Sequence, residues 1–515
     1  MTADEILALG FGHIPDLLRA HAQREPTRIA LIDGDCSLSF AALDAAMDRL
    51  AASLQRDGLV GGDVVAVCAR ASIDYAVIYL GALRAGLTVA PLPSTATAAS
   101  LALMLDDCGA RCLFVDDDAV RLLPLTSGGP RRVAINGGRA AQPLAEWVAP
   151  AASVPLPVQV EPQRAFNIIY SSGTTGAPKG IVQPYAMRWV HVQRSAVYGY
   201  GPDSVTLLST PLYSNTTLVS FFPAIAMGGC VVLMAKFDVQ RYLQLAERHR
   251  VTHTMLVPVQ YQRLMDDPRF DGFDLSSFRC KFCTSAPFSA ALKADILMRW
   301  PGGLVEYYGM TEGGGTCILE AHAHPDKLHT VGRPGPGHDI RLIDEAGREV
   351  APGGSGEVVG RSGAMMLGYH HLAQQTVAAE WHDGEGRRYI RTGDLGRFDG
   401  EGFLTLLDRK KDMIISGGFN IYPSDLERLL MSHPEVADCA VVGVASQRWG
   451  ETPVALVVLA DGAAADAAGL LAWANARLGK TQRLAALQIS AELPRNAIGK
   501  VLKRELREAW RAPVA

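Results

Sequence analysis

The 515-residue chain is poor in several features that mark large classes of protein. Its nine cysteines, an odd number without regular spacing, form no disulfide framework and point to a reducing compartment, the cytoplasm. Net charge is nearly absent: 49 Lys and Arg stand against 53 Asp and Glu, a balance of −4. That excludes a nucleic-acid-coating protein and a disordered chain, and no nucleic-acid partner is expected. The first residues, Met1 to Leu18, lack a basic region, a long apolar stretch and a small-residue cleavage site, so no signal peptide is read. Internal repeats are missing as well. Leu218 to Ala235 is uncharged for long enough to cross a bilayer, but Pro223 and Gly228-Gly229 divide it into a short helix and a buried strand, and no membrane span is expected.

What is there is an apolar fraction of 48%, with 51 glycines and 29 prolines, in a chain long enough for two to four domains. Phe40, Leu43, Met47, Leu50 and Leu54 form a helical stripe, with Ser39 as N-cap and Gly58 beyond its end. Val64–Cys68 reads as a strand, Ile73–Arg84 as a helix and Leu87–Ala90 as a strand. The alternation continues through Leu113–Val115, Phe166–Tyr170, Val231–Met234 and Thr254–Val257. It predicts an α/β fold with mixed and largely parallel sheets. Near residue 408 the texture changes to a charged knot, Asp408-Arg-Lys-Lys-Asp412, followed by Ser416-Gly-Gly-Phe-Asn-Ile-Tyr-Pro423. We read residues 1–408 as a large body with subdomains of its own and 409–515 as a small, mobile α+β domain. In the latter, Ser424-Asp-Leu-Glu427 has the pattern of a capping box opening a helix.

The strongest chemical signal is Tyr170-Ser-Ser-Gly-Thr-Thr-Gly-Ala-Pro-Lys-Gly180, a strand running into glycines, hydroxyls and one lysine. Glycines let backbone N–H groups approach phosphate oxygens, hydroxyls donate further hydrogen bonds, and an ammonium neutralises charge. It is no Walker A loop, because Gly180 stands where Ser or Thr must follow the lysine. Two weaker signals read as structure: Cys280-Lys-Phe-Cys283 has redox spacing but lies in an apolar stretch, and His322, His324 and His329 have no nearby ligand set.

At the phosphate loop the chain resembles the acyl-adenylate-forming superfamily, AMP-binding enzymes that include acyl-CoA synthetases, and within it the CoA ligase branch. Tyr307-Tyr-Gly-Met-Thr-Glu312, Tyr389-Ile-Arg-Thr-Gly-Asp394, the charged knot, the Ser416–Pro423 loop and Pro494-Arg-Asn-Ala-Ile-Gly-Lys500 look like that family's further motifs, in its order and spacing. The resemblance implies ATP, Mg²⁺ and coenzyme A as cosubstrates and cofactors, with a small-molecule carboxylic acid. Ser171, Ser172, Gly173, Thr174, Thr175, Gly176 and Lys179 would hold phosphates, and Glu312 with Thr175 would hold Mg²⁺. Tyr308 would stack on adenine opposite Ser285, Ala286 and Pro287, within a segment that also supplies Tyr307, Gly309, Met310 and Thr311. Asp394 and Arg409 would take the ribose. Lys500 would bridge the carboxylate and the α-phosphate, making Lys500, Glu312, Thr175 and Lys179 the catalytic set. In isolation Asp394 reads as a turn residue and Lys500 as part of a solvated basic tail; the ordered motifs reverse both readings.

The same resemblance implies a small domain that swings between two half-reactions about Lys411, with Gly417, Gly418, Phe419, Trp449 and Arg483 serving CoA. Where many relatives have an aromatic-Lys-x-Pro contact to the CoA nucleotide, this chain has Thr481 and Leu484. Ser214 stands in Pro211-Leu-Tyr-Ser where many relatives have histidine, and with Asn215, Thr216, Gly309, Gly313 and Gly314 it would line the acid pocket. The smaller residues imply a wide mouth for a medium-chain, aromatic or alicyclic acid. Two other readings stay open: an acyl-AMP ligase that loads a carrier protein or another nucleophile, and a non-catalytic binding relative. A homodimer is compatible with the sequence.

Overall fold

In the computed structural model the described residues are all but 124–128, 137–140, 172–177, 411, 417–418, 447–448, 480–481, 497–498 and 511–515, and the side chains at 419 and 420 are likewise left aside. The chain divides into two compact units. The first comprises Met1–His329, Pro334–Ile340 and Gly360–Ile390; the second comprises Thr330–Arg333, Arg341–Val359 and Arg391–Ala515.

The first unit is α/β. One sheet runs in the order Cys317–Glu320, Gly303–Tyr308, Cys280–Cys283, His253–Leu256, Val205–Leu208, Cys230–Leu233, Ile29–Asp33 and Cys36–Ser39. Its central pairings are parallel. The other runs Gly368–Tyr369, Lys179–Pro184, Ala165–Ser171, Thr88–Pro91, Val64–Cys68, Cys112–Val115, Arg131–Ala134 and Gln142–Pro143. Because side chains alternate along a strand, Val65 and Val67 enter one core while Ala66 and Cys68 enter another. The first of these cores also takes Leu31, Val231 and Phe282 from the other sheet, together with the buried stripe of helix Phe40–Arg56. Helix Phe40–Arg56 is capped by Ser39, whose side chain accepts from Ala42 N–H, as its sequence implies.

Leu218–Ala235 resolves into helix Asn215–Ala226, with Pro223 inside it, and strand Cys230–Leu233, both packed into the body. Among the described residues, no helix is long and apolar enough to cross a membrane. Cys280 and Cys283 are buried in a central strand, and burial pushes the Cys280 thiol up to about 12, as core residues rather than a redox pair. All nine cysteines are free thiols.

The second unit contains an α+β region. Its sheet runs Phe419–Ile421, Ile414–Ser416, Gly450–Leu459, Val436–Ser446, and Ala486–Ile489 lies parallel to Gly450–Leu459. Leu426 and Leu430 of helix Pro423–Met431 and Leu470 of helix Ala467–Arg477 pack with Val441 and Ala455 of the sheet. The expected capping box at Ser424 does not form. Pro423, with its fixed φ and no N–H to satisfy, starts the helix two residues earlier, with Tyr422 as N-cap. The Ser424 hydroxyl donates instead to Leu407 O, and its N–H donates to Asp408 Oδ2 at 2.9 Å.

Candidate active site

Strands Cys280–Cys283 and Gly303–Tyr308 are parallel neighbours, with Cys283 opposite Glu306. The two segments read as adenine walls, Ser285-Ala286-Pro287 and Tyr307-Tyr308, therefore emerge side by side at the carboxyl ends of adjacent parallel strands, where open α/β sheets bind ligands. Behind them Glu306 forms a buried ion pair with Lys293, which also donates to Leu328 O at 2.8 Å. Burial raises the Glu306 carboxyl to about 7 despite Lys293, so this pair stiffens the wall at a desolvation cost. Ser285 has φ +86°, a left-handed conformation that costs a non-glycine residue roughly 1–3 kcal/mol. Its hydroxyl lies 2.6 Å from Thr216 Oγ1, so the strained turn joins a residue read as an adenine wall to one read as lining the acid pocket.

The phosphate end is built on a hairpin in which Ser171 faces Lys179. Ser172, Gly173, Thr174, Thr175 and Gly176 lie outside the described residues. Lys179 Nζ sits 5.3 Å from the centroid of the Tyr369 ring, and the Tyr369 hydroxyl donates to Glu312 Oε1 at 2.9 Å. Burial and the Glu312 carboxylate both raise the Tyr369 phenol, which stays a donor. Glu312 Oε2 has no protein partner among the described residues, and a hard carboxylate oxygen beside a phosphate site fits Mg²⁺. Gln183, on the lysine's own strand, donates to Thr311 O at 2.6 Å, and Met366 N–H donates to Glu312 O at 2.8 Å, which fixes the backbone of the motif. Sequence reasoning missed Tyr369, which belongs to none of the motifs and reaches the site only by pairing with strand Lys179–Pro184.

Beside Asn215, read as lining the acid pocket, and Tyr307 lie two cations that the sequence did not flag. Arg188 is completely buried on helix Tyr185–Arg194, 5.8 Å and 6.0 Å from the ring centroids of Phe166 and Phe222. Its Nη2 donates to Asn215 Oδ1 at 2.7 Å and to Gln183 Oε1, while Nε and Nη1 have no partner. Burial pushes this guanidinium down to about 10. One turn and a half further along the helix, Arg194 lies 5.8 Å from the centre of the Tyr307 ring and 3.0 Å from His338 Nε2. Ser214 precedes helix Asn215–Ala226 without capping it through its side chain. Gly313 and Gly314 have φ of +76° and +87°, and a Cβ on them would lie 2.1 Å from Ala364 O and 2.7 Å from Gly360 O. Close backbone packing therefore gives these two glycines a reason of their own. Gly309 is roomier: a Cβ there would meet Thr316 Oγ1 at 3.3 Å.

In the second unit Asp394 and Arg409 face each other across an antiparallel pair and form an ion pair at 2.9 Å, so the two ribose candidates are brought together. Beside them Glu357, also missed from sequence, is buried between Arg391 at 2.5 Å and Lys410 at 3.1 Å. Burial raises its carboxyl, but the hydrogen bonds from those two cations outweigh it and hold it below the usual range. Lys500 N–H donates to Asn496 Oδ1 at 2.9 Å, and Asn496 N–H donates to Lys500 O at 2.9 Å. Lys411, Gly417 and Gly418 lie outside the described residues, as does the side chain of Phe419. Trp449 is 47% exposed and Arg483 is exposed. The neighbouring Leu484 is buried, and both its backbone polar groups bond the Asn475 side chain, so this position serves the domain core.

Two segments emerging side by side from neighbouring parallel strands, and a lysine and a carboxylate that meet on one tyrosine, fit an α/β enzyme that uses a nucleotide. Comparison with known proteins agrees. The AMP-binding enzyme family matches residues 18–370, and the AMP-binding enzyme C-terminal domain matches residues 425–500. Indoleacetate–CoA ligase of Aromatoleum aromaticum is 34% identical over 505 residues, covering 95% of this chain and 96% of the relative. Feruloyl-CoA synthase of an Amycolatopsis species is 34% identical over 496 residues, covering 95% and 97%. The ATP-bound crystal structure of MatB from Rhodopseudomonas palustris superposes with a TM-score of 0.85 at 27% identity, covering 96% of this chain and 98% of that one. The chain belongs to the AMP-binding enzyme family.

Proposed function

We propose that this enzyme is an ATP-dependent acid–CoA ligase acting on an aromatic or similarly bulky carboxylic acid. In the first half-reaction a carboxylate oxygen attacks the α-phosphorus of ATP, the bond to the β-phosphate bridging oxygen breaks, and acyl-AMP and pyrophosphate result. In the second the CoA thiol, losing its proton, attacks the acyl carbon and AMP leaves with the bonding pair. The observation that carries the reading is the convergence of Lys179 and Glu312 on Tyr369. Lys179, with Thr174 and Thr175, neutralises the β- and γ-phosphates. Glu312 would hold Mg²⁺, which when bound supplies further charge neutralisation there. Tyr369 orients the Glu312 carboxylate by its hydrogen bond.

Tyr307, Tyr308 and Ser285–Pro287 enclose adenine, and the Asp394–Arg409 pair meets the ribose. Lys500 stabilises charge on the α-phosphate in the first transition state. Residues 409–515 act as the lid, hinged at Lys411, and Gly417, Gly418, Phe419, Trp449 and Arg483 serve CoA. An aromatic acid is supported by the near-parallel rings of Tyr307, Phe282, Tyr200 and His253, at successive interplanar angles of 13°, 7° and 18°, and by relatives named for indoleacetate and ferulate. The free thiols support a cytoplasmic site of action.

Pyrophosphate release from ATP with a panel of aryl acids, with and without CoA, tests the reading. Release that depends on the acid, with acyl-CoA formed only when CoA is added, is expected. Pyrophosphate and an acyl product equally formed without CoA would move the acceptor assignment to another nucleophile.

A further inference from the structure

The strand that carries Lys179 is held from both edges at the residue that follows it. Tyr170 pairs with Gly180 on one side, and His370 N–H donates to Gly180 O at 2.7 Å on the other. Because side chains alternate along a strand, Lys179 and Tyr369 share one face of this sheet, while Tyr170 and His370 share the opposite face. Their side chains close over Gly180: a Cβ there would lie 2.8 Å from Ile168 Cγ2 and 3.2 Å from both Tyr170 Cε1 and His370 Cβ.

Asp107, the penultimate residue of helix Ala98–Cys108, joins this pair from outside the sheet. The Tyr170 hydroxyl donates to Asp107 Oδ2 at 2.6 Å. Burial, and then this hydrogen bond, push the Tyr170 phenol up, so it keeps its proton and stays the donor. Burial and then His371 lower the His370 imidazole, and Asp107 opposes that fall through its charge and its backbone, which sets the His370 ring beside the same residue. The helix itself gives no reason for a carboxylate here. Its last turn holds no basic residue, and its carboxyl end already carries partial negative charge, so Asp106 and Asp107 stand where the helix dipole disfavours them. Tyr170 accounts for Asp107 where the helix does not.

We propose that Asp107 is a positioning residue for the adenylation half-reaction: through Tyr170 and His370 it fixes the two strands on either side of Gly180, and so sets where Lys179 and Tyr369 meet the β- and γ-phosphates of ATP. Lys179 is the chain neighbour of Gly180 and Tyr369 that of His370, so a shift of either outer strand is passed directly to the groups that converge with Glu312. Acyl-AMP carries neither of those phosphates, so the strap serves the first half-reaction alone. This inference rests on the acid–CoA ligase reading and adds to it a residue that touches neither ATP nor the acid.

The test compares two steps catalysed by the full chain: pyrophosphate release with whichever aryl acid is turned over fastest, and thioester formation from the synthetic acyl-AMP of that acid with CoA. Tyr170→Phe and Asp107→Ala are each expected to raise the KM for ATP by about fivefold or more, because small misplacements of binding groups are costly. The KM for the acid and the rate of the thioester step should stay within about twofold of wild type. The double variant should be no worse than the more affected single one, since both remove the same hydrogen bond. Asp107→Glu, which keeps an acceptor, should recover part of the loss. Asp107→Ala, at a half-buried helix end, carries the test if Tyr170→Phe does not fold. An unchanged KM for ATP in both variants, or a thioester step that falls in proportion to adenylation, overturns the proposal and leaves the ligase reading intact. Absence of pyrophosphate release by the wild type with every acid overturns both.

Discussion

Cations at the two ends of the candidate site keep opposite company. At the phosphate end Lys179 shares Tyr369 with the Glu312 carboxylate. At the acid end Arg188 and Arg194 have side-chain amides, an imidazole and aromatic rings around them, but no carboxylate paired to them among the described residues. The chain is capable of pairing a buried arginine, as Arg84 shows: 7% exposed, it forms ion pairs with Asp44 at 2.5 Å and Asp48 at 2.9 Å. A buried cation without a counter-ion costs stability, and unpartnered donors such as Arg188 Nη1 cost about 1–3 kcal/mol each. The difference teaches that a lysine and a carboxylate share one tyrosine at the first place, whereas the two arginines at the second have no carboxylate paired to them among the described residues.

The largest expected effect lies where ligand charge changes during reaction. Lys500→Ala should slow acyl-AMP formation by about 10²–10³-fold, while thioester formation from synthetic acyl-AMP and CoA is largely retained. Equal loss in both half-reactions would deny Lys500 its part. Next comes a stability contrast read by urea unfolding. Arg84→Met should cost about 3 kcal/mol, because it breaks two ion pairs and leaves Asp44 and Asp48 to Arg19 alone, whereas Arg188→Met should stay within about 1 kcal/mol, having no ion pair to break. Similar losses would mean that Arg188 is balanced after all.

Tyr369→Phe should raise the Mg²⁺ concentration for half-maximal adenylation by about tenfold, since outer partners orient a metal-holding carboxylate. An unchanged Mg²⁺ titration would remove Tyr369 from the phosphate end. The smallest effect is in pH. His338 and His253 are both held near 4 by burial, below the unfolded value near 6.5. A histidine with a depressed folded value contributes stability above pH 6.5 and loses it as pH falls toward 4, because the unfolded chain takes up the proton first. The urea midpoint should fall over that window, and His338→Gln, which removes the ring facing Arg194 and His191, should recover on the order of 1 kcal/mol of the fall after solvent screening. A midpoint loss identical in the variant would place the proton uptake elsewhere.

Local patterns made much of this molecule legible. Helix Phe40–Arg56 and its Ser39 cap follow from a stripe and a hydroxyl within one segment, and helices Ile73–Arg84 and Ala467–Arg477 begin and end where their patterns do. The Asp394–Arg409 pairing was legible as motifs, although its antiparallel geometry was not. Ser424 shows how a local pattern fails: a tertiary acceptor, Leu407 O, takes the hydroxyl, and proline claims the helix start. Tyr369, Glu357 and the Arg194–His338 pair were invisible for a different reason. Each belongs to no motif, and its partners, Glu312 and Lys179 for Tyr369 and Arg391 for Glu357 among them, lie far away along the chain, so only the fold assembles them.

The central claim, that the enzyme joins a carboxylic acid to CoA through an acyl-AMP, is tested most directly by one measurement. Wild-type enzyme is given ATP and 3-phenylpropanoate, with and without CoA, and pyrophosphate and acyl-CoA are quantified. The account predicts pyrophosphate release that depends on the acid, with acyl-CoA formed only when CoA is present. An acyl product formed equally without CoA would contradict it.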